Sequence, residues 1–235
     1  MSPINQKEHP DYTARHDVAA VERMMPVPAF AQPTKAERET LQSGGPLRWW
    51  VTAKSGAGKT TSVKLMNWLF NGHPDFRALD CDAFSFRNAE NAWVVDYELA
   101  SIIASMHVPV MIFFGGNKHD VGFRVSAGIT RHFHVLVSES LSMSRRQWRE
   151  QLTGHPIVGR YTKSEAPLNA ATVRSLPLLT EGLVAMALAH VPFTAPASRL
   201  RRFCAVVDTL QHQLTLTDAA SRSSQKETHH EDIGT

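Results

Sequence analysis

The sequence predicts an α/β fold, a mostly parallel sheet covered by helices on both faces. Three observations predict it. Strand-like and helix-like segments alternate between residues 47 and 207. One strand, Val108 to Phe114, is apolar throughout and is bounded by Gly115-Gly116, as a strand buried on both faces should be. The chain has 235 residues, 43% apolar and 20% charged, enough for one α/β domain with a sizeable core and extensions.

The elements follow in order. Residues 1–45 hold Pro3, Pro10, Pro26, Pro28 and Pro33 among polar residues, and read as a flexible N-terminal extension. Within it a short helix at 17–25 and a docking segment around Met25 to Phe30 are expected. Leu47 to Ala53 is a strand and Lys59 to Phe70 a helix, with Val63, Leu65, Met66 and Leu69 as its apolar positions. Arg77 to Ala83 reads as a second strand and Ala89 to Met106 as a helix, ahead of the buried strand at 108–114. Phe133 to Val137 is a fourth strand, followed by a basic helix at about 141–152. Residues 154–178 read as a loop, 180–190 as a helix and Phe203 to Val207 as a last strand. The domain spans 46–212, with a lid at about 141–170. The segment 213–235, Ser-rich from about 218, reads as a disordered tail.

Composition excludes some functions. The longest apolar run is far short of the about 20 residues that cross a bilayer, and the polar N-terminus lacks a secretory signal's apolar segment. A cytoplasmic location without a membrane partner is the expectation. The formal charge of +3, with histidine neutral, permits a nucleotide or DNA partner without demanding one. Cys81 and Cys204 lie far apart in apolar segments and read as buried free thiols.

The strongest chemical signal is Ala53-Lys54-Ser55-Gly56-Ala57-Gly58-Lys59-Thr60-Thr61, set between a strand and a helix. It matches the phosphate-binding pattern G-x-x-x-x-G-K-[ST], with alanine at the first glycine position. Gly56 and Gly58 let the backbone turn its N–H groups inward toward a polyanion. Lys59 would reach the β- and γ-phosphates of ATP, and the Thr60 hydroxyl would ligate Mg²⁺. Asp80 and Asp82 end the second strand, where alternation puts both on one side. Phosphoryl transfer uses one carboxylate to take the acceptor's proton and another near the metal. Asp82 is the candidate base and Asp80 the metal candidate, with Arg87 available to an acceptor phosphate. The same carboxylates at a strand end would also serve as solvated charges or a helix cap. Arg145 and Arg149 share one helix face, a turn apart, next to Arg146.

These features together, the GAGKTT loop, the DCDAFSFR segment and the Arg-rich helix after strand four, resemble the P-loop nucleoside and nucleotide kinase superfamily over about residues 47–210. DCDAFSFR is similar to the D-x-D of shikimate-type kinases and to the Asp…Arg pairing of phage 5′-hydroxyl polynucleotide kinases. The layout is similar to phage kinases acting on 5-hydroxymethyluracil in DNA. The resemblance implies a three-layer P-loop NTPase fold with a five-stranded, mostly parallel sheet and an Arg-bearing lid. It also implies Mg²⁺-ATP-dependent transfer to a hydroxyl or phosphate of a nucleotide-like acceptor, such as a modified base in phage DNA. It places strand 108–114 beside the phosphate-loop strand, so that Gly116, Asn117 and Arg124 would serve the acceptor. It makes Arg145 and Arg149 lid residues that offset transition-state charge, with Arg160 and Lys163 completing the lid. The turn after Val206 to Thr209 would border the adenine. No acidic residue ends strand 108–114, which argues against a motor ATPase. A polynucleotide 5′-hydroxyl kinase, a small-metabolite kinase, a regulatory NTPase and a DNA-binding protein with a vestigial loop remain as alternatives. His132 and His134, on one strand face, read as core or surface histidines, since no zinc pattern accompanies them.

Overall fold

The structure, a computed structural model, describes Met25 and residues 28–90, 93–116, 121–154 and 170–231. Five strands, β1 (Leu47–Ala53), β2 (Phe76–Asp80), β5 (Val110–Gly115), β6 (Arg131–Val135) and β7 (Ala171–Val173), form one sheet in the order β2-β5-β1-β6-β7. Every pairing in it is parallel. Two short strands, β3 (Ser85–Arg87) and β4 (Trp93–Val95), make a separate antiparallel hairpin. The helices are α1 (Lys35–Gln42), α2 (Lys59–Phe70), α3 (Tyr97–Ser105), α4 (Val121–Ser126), α5 (Glu139–Thr153), α6 (Leu176–His190) and α7 (Ala197–Glu231).

Side-chain alternation along β1 builds a core on each face of the sheet. Leu47, Trp49, Val51 and Ala53 pack with Met66 and Leu69 of α2, Leu183 of α6 and Phe203 of α7. Trp50 packs on the opposite face with Met111, Phe113, Ala104 of α3 and Phe123 of α4. Burying such a tryptophan is worth about 3–5 kcal/mol against alanine. β1 lies between β5 and β6, where the chain changes direction across the sheet, so the carboxyl end of β1 opens at a switch point.

β1 and α2 match the sequence reading residue for residue, and β5 does lie beside β1. Elsewhere the structure corrects it. β2 stops at Asp80, and Cys81–Phe84 is a 3-10 turn rather than strand. The helix expected at 89–106 is α3 alone, preceded by the hairpin strand β4. Residues 203–207 are helical: Leu200, Phe203 and Val207 are the buried positions, and that is helical spacing. The fifth strand is β7, within the stretch read as loop, and it exists because its three residues pair with Phe133 to Val135. Helix α7 continues to Glu231, across the segment expected to be a disordered tail.

The N-terminal extension is also tied down from Pro28 on, with Met25 buried in the main core and Phe30 packed against it. Thr34 and Glu37 form a capping box for α1, bonded at 2.8 and 3.2 Å. The fully buried Glu37 carboxylate then accepts from Trp49 Nε1 at 2.6 Å and pairs with Arg131 at 3.4 Å. Most of the expected helix at 17–25 lies outside the described residues. No helix among the described residues is long and apolar enough to cross a membrane.

Candidate functional site

The site begins where β1 ends. Ala53 is the last strand residue and is fully buried in the core, with an ordinary negative φ, so no glycine is required there. The turn that follows needs its glycines: Gly56 has φ +82° and Gly58 φ +103°, both left-handed. Gly58 caps α2 and, having no side chain, makes no capping hydrogen bond to the amides at that end of the helix.

Lys59 folds back under the loop. Its Nζ donates to the Ala53 carbonyl at 2.9 Å and the Lys54 carbonyl at 3.2 Å. An ammonium has three N–H donors, so two are engaged. Burial holds its pKa below the ordinary lysine value, opposed by the charges of Asp82 and Asp80 and reinforced by Arg149. Both carboxylates and Arg149 therefore act on this one ammonium. Beside it, Thr60 Oγ1 donates to Asp80 Oδ2 at 2.7 Å, the one direct contact between two residues expected to serve the metal. Asp80 Oδ1 accepts from the Asp82 amide at 3.2 Å, which fixes the 3-10 turn. Asp82 is exposed on that turn, so the turn, not strand alternation, brings it near Lys59. Cys81 between them points inward, and burial pushes its thiol up.

Helix α5 sits directly on the loop. Ser142 Oγ donates to the Ser55 carbonyl at 2.6 Å, and Arg145 Nη1 to the Gly56 and Ala57 carbonyls at 3.3 and 3.1 Å. A side chain on Gly56 would meet the Ser142 carbonyl at 2.8 Å, so the glycine is needed for the approach as well as for its φ. Burial lowers the Arg145 pKa. Arg149, one turn on, is exposed and lines a cavity of about 500 Å³ with Arg145, Gly58, Trp148, Pro177 and Leu210. A second cavity, of about 250 Å³, lies across Ala57 and is lined by Arg174, Ser175 and Gln211. The last-strand turn beside the loop is thus Arg174-Ser175, and Val206 to Thr209 lies within α7.

The residues expected to serve an acceptor are placed differently. Arg87 is exposed on the β3–β4 hairpin, in register with Trp93. Gly116 follows β5 and is half-buried. Arg124, on α4, turns its Nη1 onto His132 Nδ1 at 2.5 Å, while its Nε is buried without a partner. Of the two places expected for them, core or surface, His132 and His134 take the core: both are buried and share the Thr52 hydroxyl at 2.8 and 2.9 Å. Asn117 lies outside the described residues, as do Arg160, Lys163 and most of the expected lid beyond α5.

Sequence reasoning missed Ser142 and Thr52. Ser142 carried a signal, since it lies three residues before Arg145 and so shares its helix face. Thr52 carried none, because only the β1–β6 register brings it between the histidines.

No protein-family model matches the chain, and no curated protein matches it. A solved structure described as "Crystal structure of APE1195" is similar over 61% of this chain and 93% of that one, with a TM-score of 0.36 and 17% identity. A similarity at that level carries no argument about fold or activity.

Proposed function

We propose that the chain is a P-loop kinase that transfers the γ-phosphoryl group of ATP to a hydroxyl or phosphate of a nucleotide-like acceptor. The observation that carries the proposal is the convergence on Lys59. A buried ammonium under a left-handed glycine turn has the Thr60–Asp80 pair beside it and the Asp82 charge acting on it. That is the equipment of phosphoryl transfer, in which positioning and charge compensation do most of the work.

The loop amides and the third N–H of Lys59 would take the β- and γ-phosphate oxygens. The base would lie in the larger cavity, against Pro177, Leu210 and Trp148, with Arg149 toward the phosphates. Among the described residues no cluster of three His, Cys, Asp or Glu could hold a metal ion. The Thr60 hydroxyl and Asp80 fit Mg²⁺ in the manner of sites that keep waters and take remaining oxygens from phosphate. When bound, Mg²⁺ supplies charge neutralisation at those oxygens. Asp82 accepts the proton of an acceptor hydroxyl as its oxygen bonds to the γ-phosphorus. The bond from that phosphorus to the bridging oxygen breaks and ADP leaves. Arg149 offsets the charge on the transferring group, and Arg145 holds the loop in shape through the Gly56 and Ala57 carbonyls.

Transfer of labelled γ-phosphate to a panel of nucleosides, nucleotides, 5′-hydroxyl DNA, hydroxymethyl-pyrimidine DNA and small metabolites tests this reading. One acceptor class should take label in a Mg²⁺-dependent reaction that Asp82→Asn suppresses. ATP bound but never transferred to any of them would overturn it.

A further inference from the structure

Where the end of α2 meets the start of α7, the surface is basic and carries an exposed ring. Trp68 of α2 is 39% exposed, and two guanidiniums from α7 lie over it, Arg199 at 5.9 Å and Arg202 at 5.7 Å from the ring centroid. Lys64, one turn earlier on the same face of α2, is exposed as well. No acid offsets this charge. α2 contains no Asp or Glu, and α7 has none before Asp208. Among the described residues neither arginine nor Lys64 forms an ion pair. Helix stability does not account for the arginines either. Arg199, Arg201 and Arg202 fall within the first six residues of α7, at the positive end of its dipole, where a carboxylate would stabilise the helix and a cation opposes it. Contact with the indole holds two of these cations in place at that unfavourable end.

An exposed indole braced by guanidiniums that have no carboxylate partner offers two things at once. The ring gives an unpaired base something to stack on, and the arginines give the adjoining phosphates fork-shaped donors. A duplex keeps its bases inside, so the ring would go unused, and an acidic peptide needs the cations alone. Among the described residues Trp68 is the one exposed large apolar side chain of α2, and α7 has none before Leu216, which is too little to enter a lipid surface. We propose that Trp68, Arg199, Arg202 and Lys64 form a docking surface for single-stranded nucleic acid. The surface is separate from the phosphate loop: Lys59 and Trp68 stand nine residues apart on α2, about 13 Å along its axis. The proposal goes beyond the kinase reading and does not depend on it.

Fluorescence anisotropy of a short labelled oligothymidylate, with the full chain and no ATP, tests the surface. Trp68→Ala should weaken binding by about tenfold to a hundredfold, the effect of one lost base–aromatic stack, and Trp68→Phe should recover part of it. Arg199→Gln and Arg202→Gln should each weaken binding and reduce the slope of log affinity against log salt by about 0.7. Binding of a duplex of the same length should be indifferent to Trp68→Ala. Thermal melts check that each variant folds, and the two arginine variants carry the test should Trp68→Ala not fold. A wild-type chain that does not bind the oligothymidylate overturns the proposal, as does unchanged binding by folded Trp68→Ala. Phosphatidylserine vesicles or polyglutamate bound with this dependence on Trp68 and Arg202, and the oligothymidylate without it, would also overturn it and give the surface to a membrane or an acidic protein. Lys59→Ala should leave oligothymidylate binding intact, so this proposal and the kinase reading fail separately.

Discussion

The two sides of the switch point are held by different means. On the donor side, Lys59, Ser142 and Arg145 all donate to backbone carbonyls of one short turn, so the loop's shape is set by main chain and by two left-handed glycines. On the acceptor side, Asp82 stands exposed on a 3-10 turn, Arg87 on a hairpin outside the main sheet, and Arg124 is held by a histidine. On the proposed function, the donor side is preorganised for a chemical group that never varies, a polyphosphate. The proposed acceptor side is built from short, locally folded pieces, where change is cheap.

The largest effect is expected at Gly56. Gly56→Ala adds a Cβ that meets the Ser142 carbonyl at 2.8 Å, in a backbone with φ +82°. It should cost about 1–3 kcal/mol in stability and the greater part of nucleotide affinity, measured by chemical denaturation and calorimetry. A smaller effect separates the carboxylates. Asp80→Asn removes charge from the residue bonded to Thr60, so it should raise the Mg²⁺ concentration needed for half-maximal transfer. Asp82→Asn should lower kcat about 10²–10⁴-fold while leaving that Mg²⁺ requirement unchanged. The smallest effect concerns His132. The folded pKa of His132, about 4, lies below its ordinary 6.5, so the unfolded chain binds more protons between those values. His132 thus contributes stability fully above pH 6.5 and loses it as pH falls toward 4. His132→Gln should flatten the fall in Tm over that window, read by thermal melts.

The donor side was legible in sequence because its information is local. A strand, two glycines, Lys-Thr and an amphipathic helix are contiguous, and β1 and α2 fall where their apolar positions put them. Ala53, read as the last strand residue, is that in the structure, where no glycine is required. The Thr34…Glu37 capping box was equally local, although the prolines around it suggested a flexible arm. The rest depended on tertiary contacts. Cys81 reads as strand by its apolar character but is buried through a turn. The run from Phe203 to Val207 is too short for its period to distinguish strand from helix, and α7 packs it by Leu200, Phe203 and Val207. β7 has only three residues and exists through its register with β6. Arg124 was expected to serve an acceptor, but its partner His132 lies on β6 and no spacing rule connects the two.

On the proposed function, Lys59 serves phosphoryl transfer rather than the stability of the loop. The most direct measurement compares Lys59→Ala with wild type in ATP-dependent labelling of the accepting substrate, with thermal melts on both. Labelling should fall at least about 10²-fold while the fold persists. Near-normal labelling by a folded Lys59→Ala protein would contradict it.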